Sequence, residues 1–203
     1  MKTRIFNLIF ILLFISSINA QKKKGKIYLK NGEIKTGLVK LNVDKSIIKF
    51  RLSKKDKEIT KFTSTQVEKL EIENKKGSGY FTTMVYKEIG TPFRTYQKLI
   101  QVIENGKVSF YIDFVNGANP YADYYADYYF ERNDKMTKIY SAGNFISNQS
   151  KAEKRINEYF KDCKKLIELR KRKAFEKFVA MKKNEKFYKK LKEIIKFYNG
   201  KCD

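Results

Sequence analysis

The chain has 203 residues, of which 45 are Lys or Arg and 22 are Asp or Glu, giving a formal net charge of +23, and it contains no His and no Trp. The missing His excludes Ser-His-Asp and Cys-His nucleophilic catalysis, the usual zinc-protease sites and His-ligated haem. The charge invites a polyanion partner, but only seven of the basic residues are Arg and the Lys are spread over nearly the whole chain. Specific base and phosphate recognition favours the rigid Arg fork, so the expectation is a solvated basic surface with weak, salt-sensitive attraction to anionic surfaces and no specific nucleic-acid partner.

Residues 1–20 have a positive head at Lys2 and Arg4, an apolar run from Ile5 to Ile15 broken only by Asn7, and small residues ending at Ala20. This is the layout of a secretory leader. Its apolar core is shorter than the ~20 residues a spanning helix needs. The reading is cleavage after Ala20 and export to the periplasm or the medium. No Cys stands at the cut, so no lipid anchor is expected there.

From 25 to 146 the chain reads as a β-rich body. Lys26 to Lys30, Asn31-Gly32, then Glu33 to Gly37 is a hairpin signal. In a two-residue loop Leu29 would face Ile34 and Lys30 would face Glu33. Ile48, Phe50 and Leu52 alternate with polar residues as a half-buried strand does. Ile59 to Phe62, Lys69 to Glu73 and Tyr80 to Tyr86 continue the strands, with Gly77-Ser78-Gly79 as a turn. Residues 25–90 could close as a small barrel or sandwich. Glu88 to Arg94 reads as a connection. Leu99 to Ile103 pairs through Asn105-Gly106 with Val108 to Val115, unless the short apolar run is a helix. Tyr128 to Phe130, Asn133-Asp134 and Met136 to Tyr140 form a third hairpin.

After Ser147 the period becomes helical through residues 148–203. Ile156, Tyr159, Phe160, Cys163, Leu166 and Ile167 recur at steps of three and four as one helix, with Asn148 or Ser150 as cap. Phe175, Phe178 and Val179 suggest a middle helix. Phe187 to Tyr198 makes a last one, stopped by Asn199-Gly200. Cys163 and Cys202, an even count behind an export leader, read as one bridge fastening two helices. Redox thiols would favour a CxxC spacing, which is absent.

A leader ending Ala-Gln, the Asn-Gly hairpin, the segment Asn105 to Tyr111, and a tail with Tyr159-Phe160-Lys161-Asp162-Cys163 and Tyr198-Asn199-Gly200-Lys201-Cys202 together resemble a group of secreted proteins of Bacteroidetes-type bacteria. That resemblance implies an exported address and a disulfide, and no chemistry.

The unit Ala-Asp-Tyr-Tyr occurs twice in tandem, giving Tyr121, Asp123, Tyr124, Tyr125, Asp127, Tyr128 and Tyr129. Asp123 and Asp127 would share a face in either a helix or a strand. Carboxylates among aromatic faces suit sugars, and paired carboxylates can run glycoside hydrolysis. The bland reading is a loop duplication whose Tyr pack on the sheet and whose Asp offset the Lys excess. Calcium lacks its loop motif, the basic run at 170–173 with Phe175, Phe178 and Phe187 suits a solvated face or an anionic surface, and no phosphate loop or nucleophile elbow occurs. The sequence therefore predicts an α+β protein: an antiparallel β-rich body, a small barrel or sandwich plus hairpins, then a helical tail with one disulfide. Its expected role is non-catalytic, in the cell envelope, with no cofactor and no metal. The partner would be another envelope component, an anionic surface or a glycan. The alternative is a carbohydrate-binding or carboxylate-based glycan-active protein using residues 121–129.

Overall fold

The computed structural model describes residues 22–42, 45–74, 77–90, 94–114, 126–142, 148–171 and 184–202. Ten strands form one antiparallel sheet: β1 (Lys23–Leu29), β2 (Ile34–Asn42), β3 (Ile47–Arg51), β4 (Thr60–Phe62), β5 (Val67–Glu73), β6 (Phe81–Gly90), β7 (Thr95–Glu104), β8 (Ser109–Phe114), β9 (Ala126–Arg132) and β10 (Lys135–Ala142). Their spatial order is β10-β9-β8-β7-β6-β5-β1-β2-β3-β4. Three helices follow: α1 (Asn148–Tyr159), α2 (Lys164–Lys171) and α3 (Asn184–Lys201).

One face of this sheet is covered in two different ways. At the β8–β10 end the helices cover it. Phe110, Ile112, Tyr128, Phe130 and Ile139 pack against Ile156, Phe160, Leu166, Leu191, Ile195 and Tyr198. At the β1–β6 end the sheet curls over itself, so Ile27, Val39, Ile48, Phe50, Phe62, Leu70 and Met84 share a core with Leu99. The curl brings the β2–β3 turn onto β6 and β7. The Tyr86 hydroxyl donates to the Ser46 carbonyl at 2.6 Å, and the Leu99 amide donates to Ser46 Oγ at 3.3 Å. Among the described residues no ladder joins β4 to β6 or β7, and the strands of 25–90 continue directly into β7–β10.

Two glycines permit the curl. Gly25 and Gly37 are direct partners across β1 and β2. A side chain at Gly37 would press into the Arg51 carbonyl and the Phe50 ring, and one at Gly25 into the Glu71 carbonyl and Val39. Strand glycines mark this kind of close approach.

The hairpins formed where the turn residues placed them, with one change of register. The first loop has three residues, Lys30 to Gly32, with Gly32 at φ 87°. Leu29 therefore opposes Glu33, and Tyr28 pairs with Ile34. A one-residue slip exchanges faces: Leu29 enters the core and Ile34 lies 56% exposed. Glu33 pairs with Lys35, not Lys30. The two-residue loop occurs instead at Asn133-Asp134, whose φ values of 50° and 59° are those of a tight hairpin turn. Leu99 to Ile103 is strand, and β6 runs through Gly90 into the stretch expected as connection.

The helical tail also departs from its sequence pattern. The stretch expected as one helix over Ile156 to Ile167 is two, broken by a turn at 160–162. Asp162 in that turn accepts from Arg132 and from the Tyr198 hydroxyl, and Cys163 is bridged to Cys202 with Cα atoms 5.4 Å apart. These tertiary partners outbid the continuing apolar period. α3 continues through Asn199-Gly200 to Lys201. There the Asn199 carboxamide donates to the Val108 carbonyl and accepts from its amide, both at 2.9 Å. The middle helix expected at Phe175 to Val179 lies outside the described residues.

Candidate functional site

Two polar constellations stand out, one on each side of the sheet. The first is a cleft between α1 and the β9–β10 hairpin. Alternation on β9 and β10 sends Arg132, Lys135 and Thr137 toward it, while the outer turns of α1 present Lys151, Lys154, Arg155 and Glu158. Its volume is about 700 Å³, and Tyr159 forms part of the wall. Five cations thus face one carboxylate.

The cations of this cleft fall into two groups. Arg132 and Arg155 are fixed: Arg132 engages Asp162 and the Tyr198 ring, and Arg155 donates to the Lys138 carbonyl at 3.2 Å. Lys135, Lys151 and Lys154 are exposed, and no carboxylate among the described residues pairs with them. Tyr159 is half-buried, and its hydroxyl is buried without a hydrogen-bond partner among the described residues. Burial pushes that phenol up to about 12, so at neutral pH it is a hydrogen-bond donor. The cleft thus offers an anion charge from its exposed Lys side chains, with the Tyr159 ring as part of its wall. The depression near Gln101 and Thr83 does not share this bias, because its Lys192 lies 3.8 Å from Glu104.

The second constellation lies on the sheet face turned away from the helices. Register places Tyr111 opposite Tyr129 and Asp113 opposite Asp127 across β8 and β9. Lys98 on β7 donates to Asp113 at 2.6 Å, with side chains only 15% and 2% exposed. Asp127 accepts from Lys138 at 2.6 Å and Ser141 at 2.5 Å. Lys87 and the Tyr111 hydroxyl both donate to Glu131, at 2.7 and 2.6 Å. Ile89 and Ile100 pack with Tyr111 and Tyr129 around these groups. Burial pushes the Asp113 carboxyl above its usual range; Lys98 pulls it down and the Asp127 charge pushes it further up. Burial and the two Asp charges also raise the Tyr129 phenol.

The tandem Tyr/Asp repeat is thus only partly placed. Tyr121, Asp123, Tyr124 and Tyr125 lie outside the described residues. Asp127, Tyr128 and Tyr129 are all buried, and Tyr128 faces the helices while Asp127 and Tyr129 face the opposite side. Sequence reasoning paired Asp127 with Asp123; among the described residues the carboxylate opposite it is Asp113, 14 positions upstream. Asp113, Lys98 and Lys138 went unremarked, as did the cations of the cleft, because strand order decides those neighbours. Cys163 and Cys202 are joined as expected. Among the described residues no group of three or more His, Cys, Asp or Glu could hold a metal ion, and no helix is long and apolar enough to cross a membrane. Comparison of the chain with family models, curated proteins and solved structures gave no match.

Proposed function

We propose that this is an exported, non-catalytic cell-envelope protein that holds an anionic envelope surface through the cleft between α1 and the β9–β10 hairpin. The observation that carries the reading is the charge count of that cleft: five cations to one carboxylate, three of the cations without a carboxylate partner among the described residues. Each Lys near an anionic surface contributes about 1 kcal/mol, falling off within a Debye length. Three such residues give useful attraction without needing an Arg fork. Residues 1–20 serve in this reading as a leader removed after Ala20. The Cys163–Cys202 bridge supports the address, because stable disulfides belong to oxidising compartments. The curled strands of 25–90 act as a barrel-like support that carries the cleft-bearing half.

The test is co-sedimentation with phosphatidylglycerol vesicles, against phosphatidylcholine vesicles, over a range of salt. Binding should require the anionic lipid and weaken steeply with salt. The triple variant Lys135→Gln, Lys151→Gln, Lys154→Gln should lose on the order of 100-fold in affinity. Undiminished binding by the triple variant, or in high salt, would sink the proposal. The sugar-platform alternative draws less support, since Asp127, Tyr128 and Tyr129 are buried and split between two faces.

A further inference from the structure

Lys98 and Asp113 form the most deeply buried ion pair among the described residues. Lys98 Nζ and Asp113 Oδ2 are 2.6 Å apart on adjacent strands, which puts the nitrogen against the carboxyl group it would have to attack. Asp113 Oδ1 is buried with no hydrogen-bond partner among the described residues. A second carboxylate, Asp127, stands directly opposite Asp113 on the next strand. Ile100, Tyr111 and Tyr129 wall the site. A buried ion pair with an unsatisfied oxygen is costly to keep. That cost is relieved if both charges are removed together.

We propose that Lys98 and Asp113 join in an intramolecular amide, with Asp127 carrying the proton, so that β7 and β8 are covalently cross-linked in the mature protein. The step balances without any further reactant. A proton passes from the Lys98 ammonium to the Asp113 carboxylate, leaving a neutral amine beside a neutral acid, the direction that low polarity favours. The amine nitrogen attacks Cγ of Asp113 and the C=O π bond opens. Asp127 takes a proton from the nitrogen and delivers it to the departing hydroxyl. The C–N bond has then formed, the C–O bond has broken, and one water leaves. Net charge is conserved, since one positive and one negative charge vanish together. In water this condensation is unfavourable. Here the partners are already in contact at a site of low exposure, and fixed geometry of that kind is equivalent to effective concentrations of ~10⁵–10⁸ M. Lys138 and Ser141 hold the Asp127 carboxylate on β9, across from Asp113 in the strand register.

The experiment is mass spectrometry of the purified protein, reduced and alkylated, intact and after trypsin. The expected intact mass is one water below that of the chain beginning at the mapped N-terminus. Trypsin should spare Lys98 and yield a branched species joining residues 95–107 to 108–132, with fragmentation placing the branch at Lys98 and Asp113. Lys98→Arg and Asp113→Ala should each restore the full mass. Asp127→Asn, which keeps the shape but cannot accept the proton, should leave the full mass or form the branch far more slowly. Full mass in the unaltered protein, with cleavage at Lys98, overturns the proposal whatever the variants do. A water loss that persists in Lys98→Arg overturns it too, since that loss arises elsewhere. A branch that forms undiminished in Asp127→Asn removes Asp127 from the step.

Discussion

Asp162 shows how much one side chain does in this tail. It stops α1, ties the turn to β9 through Arg132 and to α3 through Tyr198, and sits next to the bridged Cys163. The Arg132 guanidinium holds its carboxyl below the ordinary 3.8, with the Tyr198 hydroxyl helping and partial burial opposing. The folded-state value is therefore below the unfolded one. Between the two values the unfolded chain binds the extra proton, so this group's stabilisation is present above 3.8 and lost as pH falls through the folded value. Asp162→Asn should lower stability at pH 7, and the gap to the unaltered protein should close on acidification. Urea unfolding from neutral pH to pH 3 checks it; a constant gap would show that charge is not what Asp162 contributes. Because the pair is more than a third exposed, screening keeps its electrostatic part small.

Among the elements, β1 and β2 depend most on a residue type. Gly25 and Gly37 face one another where the sheet curls. Gly37→Ala would drive a methyl into the Arg51 carbonyl and the Phe50 ring. The loss should be about 1–3 kcal/mol, the usual cost of overpacking, read as a lower urea midpoint at unchanged slope. An unchanged midpoint would mean that β2 and β3 can separate freely. Hairpins were legible because Asn-Gly and Asn-Asp carry their own backbone geometry, although the two-residue loop expected at Asn31-Gly32 closed with three residues, and Asn133-Asp134 made the two-residue one. The α1–α2 break was not legible. Apolar steps run on through Cys163, and the partners that end the helix come from β9 and α3. The same holds for the two sites. Asp127 drew notice through its repeat, while Asp113 sits in an ordinary strand segment, Ser109 to Phe114, and meets Lys98 only once β7 and β8 are in register.

At the scale of the molecule, three covers act on one sheet: the curl, the helices and the polar shell of the opposite face. The disulfide holds the second in place by closing a separation of 39 residues. On the chain-entropy account a loop of that size stabilises by about 4 kcal/mol. Replacing both Cys163 and Cys202 by Ala should cost about 2–4 kcal/mol. The loss should concentrate in α3, seen as faster amide exchange at Leu191 to Tyr198 than in β1–β6. Equal acceleration throughout would mean that the sheet unfolds together with its helical cover.

The sheet order departs from the chain order once, where β5 lies beside β1. Every other strand pairs with the one made just before it. A chain released N-terminus first therefore completes a β1–β4 meander whose first strand must wait about 40 residues for its second neighbour, at a closure cost of roughly 3 kcal/mol. During that interval β1 is a raw edge, open to pairing with any other nascent chain. Lys23, Lys24 and Lys26 all stand exposed along it. Charges of this kind do little for the finished core, but they repel a second copy of the same strand. The basic start of β1 thus acts as a guard for an intermediate that no longer exists once folding is complete.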